Sequence, residues 1–367
     1  MNKIKHISVI ALSAAMVFGL GAWMIAKEPA TYSEAERRKL ADFPVLSAES
    51  IFDGSFMADF ETASPDQFPA RETFRKIKAF VAVKLLGQSD TNGIYEHNGY
   101  LTKIEYPIND EMLDHAGERF NAINDKFLNG KDVNVYFSIV PDKNMFAAPE
   151  SGALMLDYSE LTEKMLAKMS FASYIDVSDL LSLEDYYLTD SHWRQERITD
   201  VADRLAESMG TKLTHGYTEL SVSEPFYGVY AGQYALDTDP DTLVYLTNET
   251  IENCTVTFYS TGMPVKAQMY NLTKATGADP YELFLSGSEP LITIENPAAN
   301  TDKELVVFRD SYGSSLVPLL ASGYAKITVV DTRYMNPALL GNYIKFNTQD
   351  VLFIYSTTLL NSSLGIQ

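Results

Sequence analysis

Leu305-Val306-Val307-Phe308-Arg309-Asp310-Ser311-Tyr312-Gly313-Ser314 decides the fold. Four consecutive apolar residues suit a strand buried on both faces, and the polar Asp310-Ser311 marks its end. A helix is expected from about Ser314, with Pro318 tolerated in its first turn. Ile327-Thr328-Val329-Val330 and Val351-Leu352-Phe353-Ile354-Tyr355 repeat the strand signature downstream, and Val133 to Val140 shows it upstream. Helical spacing alternates with these runs. Met112, Ala116, Phe120, Ile123 and Phe127 share one face, which Asn129-Gly130 ends; Leu161, Met165 and Met169 mark another. Tyr174-Ile175-Asp176-Val177 reads as a short strand, and Ile198, Val201, Ala202 and Leu205 as a third helix. Strands alternating with helices imply an α/β fold with a parallel sheet covered on both faces. In such sheets active groups gather beyond the carboxyl ends of the strands. Pro141 to Lys143, Ser311, Asp331 to Arg333 and Tyr355 to Thr357 are expected on that edge.

A chain of 367 residues can bury a sizeable core, and 46% hydrophobic residues with 12% aromatics argue for a folded protein. The formal charge of −20 argues against nucleic acid, because a phosphate backbone needs a basic face. The lone Cys254 excludes an intrachain disulfide and a thiolate-rich metal site. No metal centre is expected.

At the N-terminus, Lys3, Lys5 and His6 precede an uncharged, mostly apolar run from Ile7 to Ala26. Its length suits a spanning helix of about 20 residues rather than the shorter core of a cleaved signal. Cleavage after Ala26 or Ala22 would put Met24 or Leu20 where a small residue is wanted, so an uncleaved signal-anchor is expected. The lysines before it favour a cytoplasmic N-terminus, against which Lys27, Arg37, Arg38 and Lys39 weigh on the far side. The working part is then outside the cytoplasm, with secretion after cleavage as the alternative. The expected organisation is an anchor over 1–27, a membrane-proximal stalk over 28–70, and a catalytic domain over 71–367. A helix is expected from about Ala70 to Leu86, on the spacing of Phe74, Ile77, Val81 and Leu85. Asn98-Gly99 signals a tight hairpin, because both residues tolerate the positive φ of a primed turn. From about 211 to 300 the pattern becomes short alternating runs broken by Gly, Pro, Asp and Thr, which reads as a β-rich insertion. Its tyrosines (Tyr227, Tyr230, Tyr234, Tyr245, Tyr259, Tyr270 and Tyr281) suit either sugar stacking or ordinary strand packing.

Tyr186-Tyr187-Leu188-Thr189-Asp190-Ser191-His192-Trp193 carries the chemistry. A serine hydroxyl is a weak nucleophile and needs a base, itself oriented by a third group. Of the five histidines, His6 lies in the anchor, His97 on a turn, His115 on a helix surface and His215 in a loop. Only His192 has a carboxylate placed to hold its second ring nitrogen. In an extended loop Asp190 and His192 point the same way. An Asp that caps the following helix explains the same residues, and Ser311 at a strand-to-helix turn is equally open to a capping role.

Asp190-Ser191-His192-Trp193, with Tyr187 and Thr189 before it, resembles the Asp-x-His-Trp signature of the SGNH hydrolase-like alginate O-acetyltransferase family. It is still more similar to the DHHW-motif proteins of Gram-positive bacteria, although Ser191 replaces their first His. Asp66-Gln67-Phe68-Pro69-Ala70-Arg71, Phe226-Tyr227-Gly228, Asp279-Pro280-Tyr281 through Pro290, and Asp310-Ser311-Tyr312 extend the resemblance along most of the chain. It implies a three-layer α/β/α sandwich and a triad of Ser311, His192 and Asp190. It also implies an extracytoplasmic O-acetyltransferase for a cell-surface or secreted polysaccharide, with an acetylesterase or a non-catalytic polysaccharide-binding protein as alternatives. The acetyl donor it implies is a membrane-embedded acyltransferase, with no cofactor bound here. Oxyanion donors are expected from the Ser311 backbone N–H, from the loop after the Asp331 strand, or from the Tyr355-Ser356-Thr357 end. Tyr312 is a further contact residue at the site. Arg333 would assist or hold a salt bridge, Trp193 would pack the loop or meet substrate, and Lys143 would meet an acidic sugar or stay solvated.

Overall fold

The computed structural model describes residues 2–222 and 224–367. By its contacts the chain divides into two compact units: residues up to 92 together with 231–237, and residues 93–230 together with 238–367.

The smaller unit opens with α1 (Asn2–Ala26), in which Lys3–Ala26 is long and apolar enough to cross a membrane. It continues through α2 (Ser55–Asp66) and α3 (Arg71–Phe80), which a π-helical turn prolongs over Val81–Leu85. The helix expected from about 70 to 86 is therefore present, with its last part widened to the i→i+5 pattern. Between α2 and α3, Gln67 is fully buried. Its amide accepts from the Ala30 N–H at 3.0 Å and donates to the carbonyls of Ala30 at 2.8 Å and Ala41 at 2.9 Å. Asp66 beside it takes two guanidinium N–H groups of Arg38, at 2.8 and 2.5 Å. That pairing, led by the hydrogen bonds from Arg38, lowers the Asp66 carboxyl to about 2. The Asp-Gln pair thus fastens the segment that leaves α1.

The larger unit is built on an eight-stranded sheet. Its strands are β1 (Asn134–Val140), β2 (Ser173–Tyr174), β3 (Thr255–Phe258), β4 (Val265–Ala267), β5 (Leu291–Glu295), β6 (Glu304–Arg309), β7 (Lys326–Val330) and β8 (Asp350–Ser356). Their order is β4-β3-β5-β7-β6-β8-β1-β2. β7, β6, β8, β1 and β2 run parallel, whereas β5 is antiparallel to both β7 and β3, and β4 to β3. The sheet is thus mostly parallel with an antiparallel side. Those three antiparallel strands come from the stretch between 255 and 295, where no long helix intervenes to carry the chain back for parallel pairing. The Asn98-Gly99 hairpin forms between Ile94–His97 and Tyr100–Lys103, with φ of 51° and 84° at its two central residues.

Alternation along the strands separates two cores. Leu305, Val307, Val329, Leu352 and Ile354 face a helical layer made by α6 (Thr199–Ser208) and α7 (Tyr312–Leu320). Val306, Phe308, Val351 and Phe353 face the other layer, made by α4 (Asp110–Ile123) and α5 (Tyr158–Lys168). The architecture is a three-layer α/β/α sandwich. α7 starts at Tyr312 rather than near Ser314, so Pro318 falls inside the helix and not in its first turn. The backbone of the Asp310 turn closes early, with the Gly313 N–H bonded to the Asp310 carbonyl at 3.1 Å. Ser173 and Tyr174 stand in register with β1 and the Ile175 N–H makes the last bond to it, to the Phe137 carbonyl at 2.8 Å, so the short strand expected over 174–177 is cut to two residues.

Phe353 anchors the second core, stacked on Phe308 with ring centroids 4.6 Å apart and tilted on Phe120 at 5.4 Å. Truncation of such a ring costs about 3–5 kcal/mol. Phe353→Ala should therefore lower the thermal midpoint of the full chain in detergent by many degrees. Phe52→Ala, at a ring 90% exposed, should leave the midpoint unmoved; equal midpoints for the two variants would refute this core assignment.

Candidate active site

β6 delivers Ser311, the candidate nucleophile. Its last residue, Arg309, is fully buried, with Nη1 3.3 Å from Asp331 and Nη2 donating to the Gly287 carbonyl at 3.0 Å. Asp310 then spans two elements, because one carboxylate oxygen accepts the Tyr312 N–H at 3.0 Å and the other accepts the Ser356 N–H at 2.8 Å. These bonds pin the turn between β6 and α7 to the end of β8. Ser311 sits at the apex of that turn, half-buried, at the carboxyl edge of the sheet. The position is a topological switch point, since the chain after β6 goes to β7 on one side and then to β8 on the other.

The second loop is closed by a bridge between Tyr186 and Trp193 and by the Tyr187 N–H bonded to the His192 carbonyl at 3.1 Å. Between these points the backbone bends rather than extends. Asp190 and His192 meet because one Asp190 oxygen accepts the His192 backbone N–H at 3.1 Å, a local Asx-type turn. The same oxygen lies 2.5 Å from His192 Nδ1. A carboxylate only accepts, so Nδ1 carries the proton and Nε2 keeps a lone pair. That lone pair meets the Ser311 hydroxyl, 2.7 Å away. Asp190, His192 and Ser311 therefore form a continuous hydrogen-bonded line, the geometry a serine nucleophile needs.

The remaining residues expected at the site divide by what they touch. Tyr312 is buried, its ring 5.0 Å from the His192 ring and its hydroxyl donating to the Ser191 carbonyl at 2.6 Å. Trp193 is fully buried, and its indole N–H reaches the Tyr312 carbonyl at 3.1 Å and Ser315 Oγ at 3.0 Å. It clips the loop to α7. Arg333 is paired with Asp331, through Nε at 2.9 Å and Nη2 at 2.7 Å. The Tyr355 hydroxyl is buried against Thr332 Oγ1 at 3.1 Å. Ser356 gives its N–H to Asp310 and accepts the Leu359 N–H at 3.2 Å.

Lys143 is not on a solvated loop. It is 2% exposed, and its ammonium donates to the carbonyls of Tyr187 at 2.8 Å and Leu188 at 3.2 Å. Burial pulls its pKa down to about 7, against the attraction of Asp241 and Asp190. Asp241 grips the same segment from its N–H side, accepting from Leu188 N at 2.6 Å, Thr189 N at 2.8 Å and Thr189 Oγ1 at 2.6 Å. Burial raises the Asp241 carboxyl above the ordinary range, against these bonds. The two side chains hold the backbone of the 187–189 segment between them.

Three participants carry little signal in the sequence. Tyr281 stacks flat on His192, with centroids 3.8 Å apart and planes 7° from parallel. Its hydroxyl lies 2.8 Å from Ser315 Oγ, and burial keeps it protonated. In the sequence it stood among the eight tyrosines of the 211–300 stretch and in the Asp279-Pro280-Tyr281 match, with nothing to pair it with His192. Asp241 stands far from any recognisable pattern. Gly228, in the Phe226-Tyr227-Gly228 match, passes so close to Asp190 that a Cβ there would lie 2.5 Å from the Asp190 backbone nitrogen. The neighbouring Val229 N–H meanwhile donates to the second Asp190 oxygen at 3.0 Å.

Gly228→Ala must therefore displace Asp190. Because misplacement of a catalytic group by an ångström costs on the order of 100-fold in rate, acetylation of Ser311 by an activated acetyl ester should slow by about that factor. Near-UV circular dichroism should remain native. An unchanged rate would mean that the Asp190 backbone is not constrained here.

No protein-family model matches the chain, and no curated protein does either. Solved structures do. A DHHW family protein from Eubacterium siraeum is 21% identical over 75% of this chain and 95% of its own, with a TM-score of 0.59. Bacillus cereus PatB1, solved with a sulfonyl adduct, is 19% identical over 73% of this chain and 95% of its own, with a TM-score of 0.57. The O-acetyltransferase domain of Pseudomonas putida AlgJ is 12% identical over 73% of this chain and 92% of its own, with a TM-score of 0.45. The chain shares the three-layer α/β/α fold of the DHHW family protein, whose family its Asp190-Ser191-His192-Trp193 motif resembles.

Proposed function

We propose that the larger unit is an O-acetyltransferase that moves an acetyl group through a Ser311 ester onto a hydroxyl of a cell-surface or secreted polysaccharide. The observation that carries this reading is the line from Asp190 through His192 to Ser311, with contacts of 2.5 and 2.7 Å. His192 Nε2 takes the Ser311 proton as Oγ attacks the acetyl carbonyl, and Asp190 stabilises the imidazolium that results. Collapse of the tetrahedral intermediate returns that proton to the leaving group and leaves acetyl-Ser311. The acceptor hydroxyl then gives its proton to His192 while attacking the ester, and a second collapse restores Ser311. We assign the oxyanion to the Ser311 backbone N–H at the opening of α7, where the helix N-terminus favours negative charge. Tyr281, flat against the ring, fixes the imidazole plane through both steps.

The reading includes placement. α1 acts as a single-span anchor with the catalytic unit on the extracytoplasmic side, and a membrane acyltransferase presents the acetyl group there. Water in place of sugar at the second step would make the same site an esterase.

Mass spectrometry of the full chain in detergent, exposed to an activated acetyl ester with and without an oligosaccharide acceptor, separates these outcomes. Acetyl-Ser311 should appear transiently and pass to the sugar, and Ser311→Ala should show neither event. Acetate release without acetylated sugar would contradict the transferase, and absence of any adduct would contradict the nucleophile. Asp190→Asn should keep the fold and lower the turnover number by about 10³–10⁴-fold, because the wrong imidazole tautomer is then held. A loss confined to KM would assign Asp190 to substrate binding instead.

A further inference from the structure

The element α3, with its π-helical turn, is amphipathic in an unusual sense: its large apolar stripe faces outward. Phe74, Ile77, Val81 and Leu85 recur at the spacing of one helical face, yet they are 44%, 52%, 36% and 66% exposed. The face turned inward carries the small buried Ala79 and Ala82 together with the mostly buried Arg71 and Arg75, and no large apolar side chain that is fully buried. Arg71 is turned to Glu36, and Arg75 to Glu72 at 2.7 Å. Lys78 and Lys84 border the apolar stripe on its two sides. Residues 71–85 hold five basic side chains and one acidic one, inside a chain of net charge −20. An exposed apolar stripe of this size on a soluble surface marks something that binds to it. With flanking lysines, whose stems lie along apolar surface while their charges reach outward, it has the composition of a helix lying in a lipid interface.

The occupant follows from the tether. The two Gln67–Ala30 hydrogen bonds, at 3.0 and 2.8 Å, join the residue four positions before α3 to the residue four positions after α1. Four extended residues on each side of this joint span at most about 14 Å apiece, so the start of α3 lies within roughly 35 Å of the point where α1 ends. Interfacial helices sit about 5–10 Å into the headgroup boundary, a depth this tether permits.

We propose that α3 and its π-helical turn lie on the outer face of the membrane that α1 crosses, with Phe74, Ile77, Val81 and Leu85 in the acyl boundary and Lys78 and Lys84 at anionic headgroups. This rests on the anchoring role of α1 given above. The docked helix fixes the height and tilt of its own unit above the bilayer.

The test uses the full chain with Cys254→Ser and Ile77→Cys, labelled with an environment-sensitive fluorophore and reconstituted into vesicles of phosphatidylcholine and phosphatidylglycerol. Leu364→Cys, at a side chain 75% exposed, serves as the aqueous reference. The Ile77 label should be protected from iodide several-fold relative to the reference and quenched by lipid carrying a doxyl group near the headgroup. Lys78→Glu with Lys84→Glu should restore iodide quenching. Quenching by iodide equal to the reference overturns the proposal. So does protection from both quenchers, which would mean that a protein surface covers the stripe. Alkaline carbonate extraction of the same vesicles reports on α1 separately. Release of the chain refutes the anchor, whereas a retained chain with an iodide-exposed label refutes only the docking of α3.

Discussion

A carboxylate without solvent exposure must be compensated where it stands, and Asp190 is compensated by the residues that define the site. Its two oxygens take the His192 ring N–H, the His192 backbone N–H and the Val229 N–H. One group thereby sets the orientation of the His192 ring, the bend of its loop and the course of the 226–229 segment. Losing any one of these partners would leave part of a buried charge uncompensated, which favours this arrangement of the loop. The imidazole that results is clamped on its edge by Asp190 and on its face by Tyr281. Its remaining nitrogen is aimed at Ser311.

That arrangement is held from beneath by charge as well as packing. Lys143 donates to carbonyl oxygens of the Asp190–His192 loop while Asp241 accepts from its N–H groups. Asp310 performs a similar service for Ser311, joining its turn to the end of β8. Each is a buried polar group that would be costly if unpaired; Lys143 and Asp241 are matched by backbone groups of the bent 187–189 segment, and Asp310 by its own turn and the end of β8. The carboxyl edge of the sheet is where such groups are plentiful, which is why the fold places its polar network there.

The reach of sequence reasoning follows from the range of the interactions. Strands buried on both faces announce themselves as continuous apolar runs, so β6, β7 and β8 were readable along with the turn that carries Ser311. The pairing of Asp190 with His192 was readable because it is local, although the backbone reaches it through a bend rather than an extended loop. What escaped was long-range. Lys143 looks like a loop lysine until its carbonyl partners, some 45 residues away, are known. Tyr281 meets His192 only through tertiary packing, and Asp241 has no local motif. The antiparallel strands β3, β4 and β5 looked like an insertion because alternating short runs do not reveal which sheet they will join. Pro318 was placed in a first turn because the true start of α7 depends on hydrogen bonds to Asp310.

The central claim is that His192 activates Ser311, and active-site labelling tests it most directly. The full chain in detergent would be treated with a small sulfonyl fluoride, and the modified residue mapped by peptide mass spectrometry. The account predicts one sulfonyl group per chain, on Ser311, with labelling abolished in His192→Ala and strongly slowed in Asp190→Asn. Labelling of Ser311 at an undiminished rate in His192→Ala, or of another residue in its place, would contradict it.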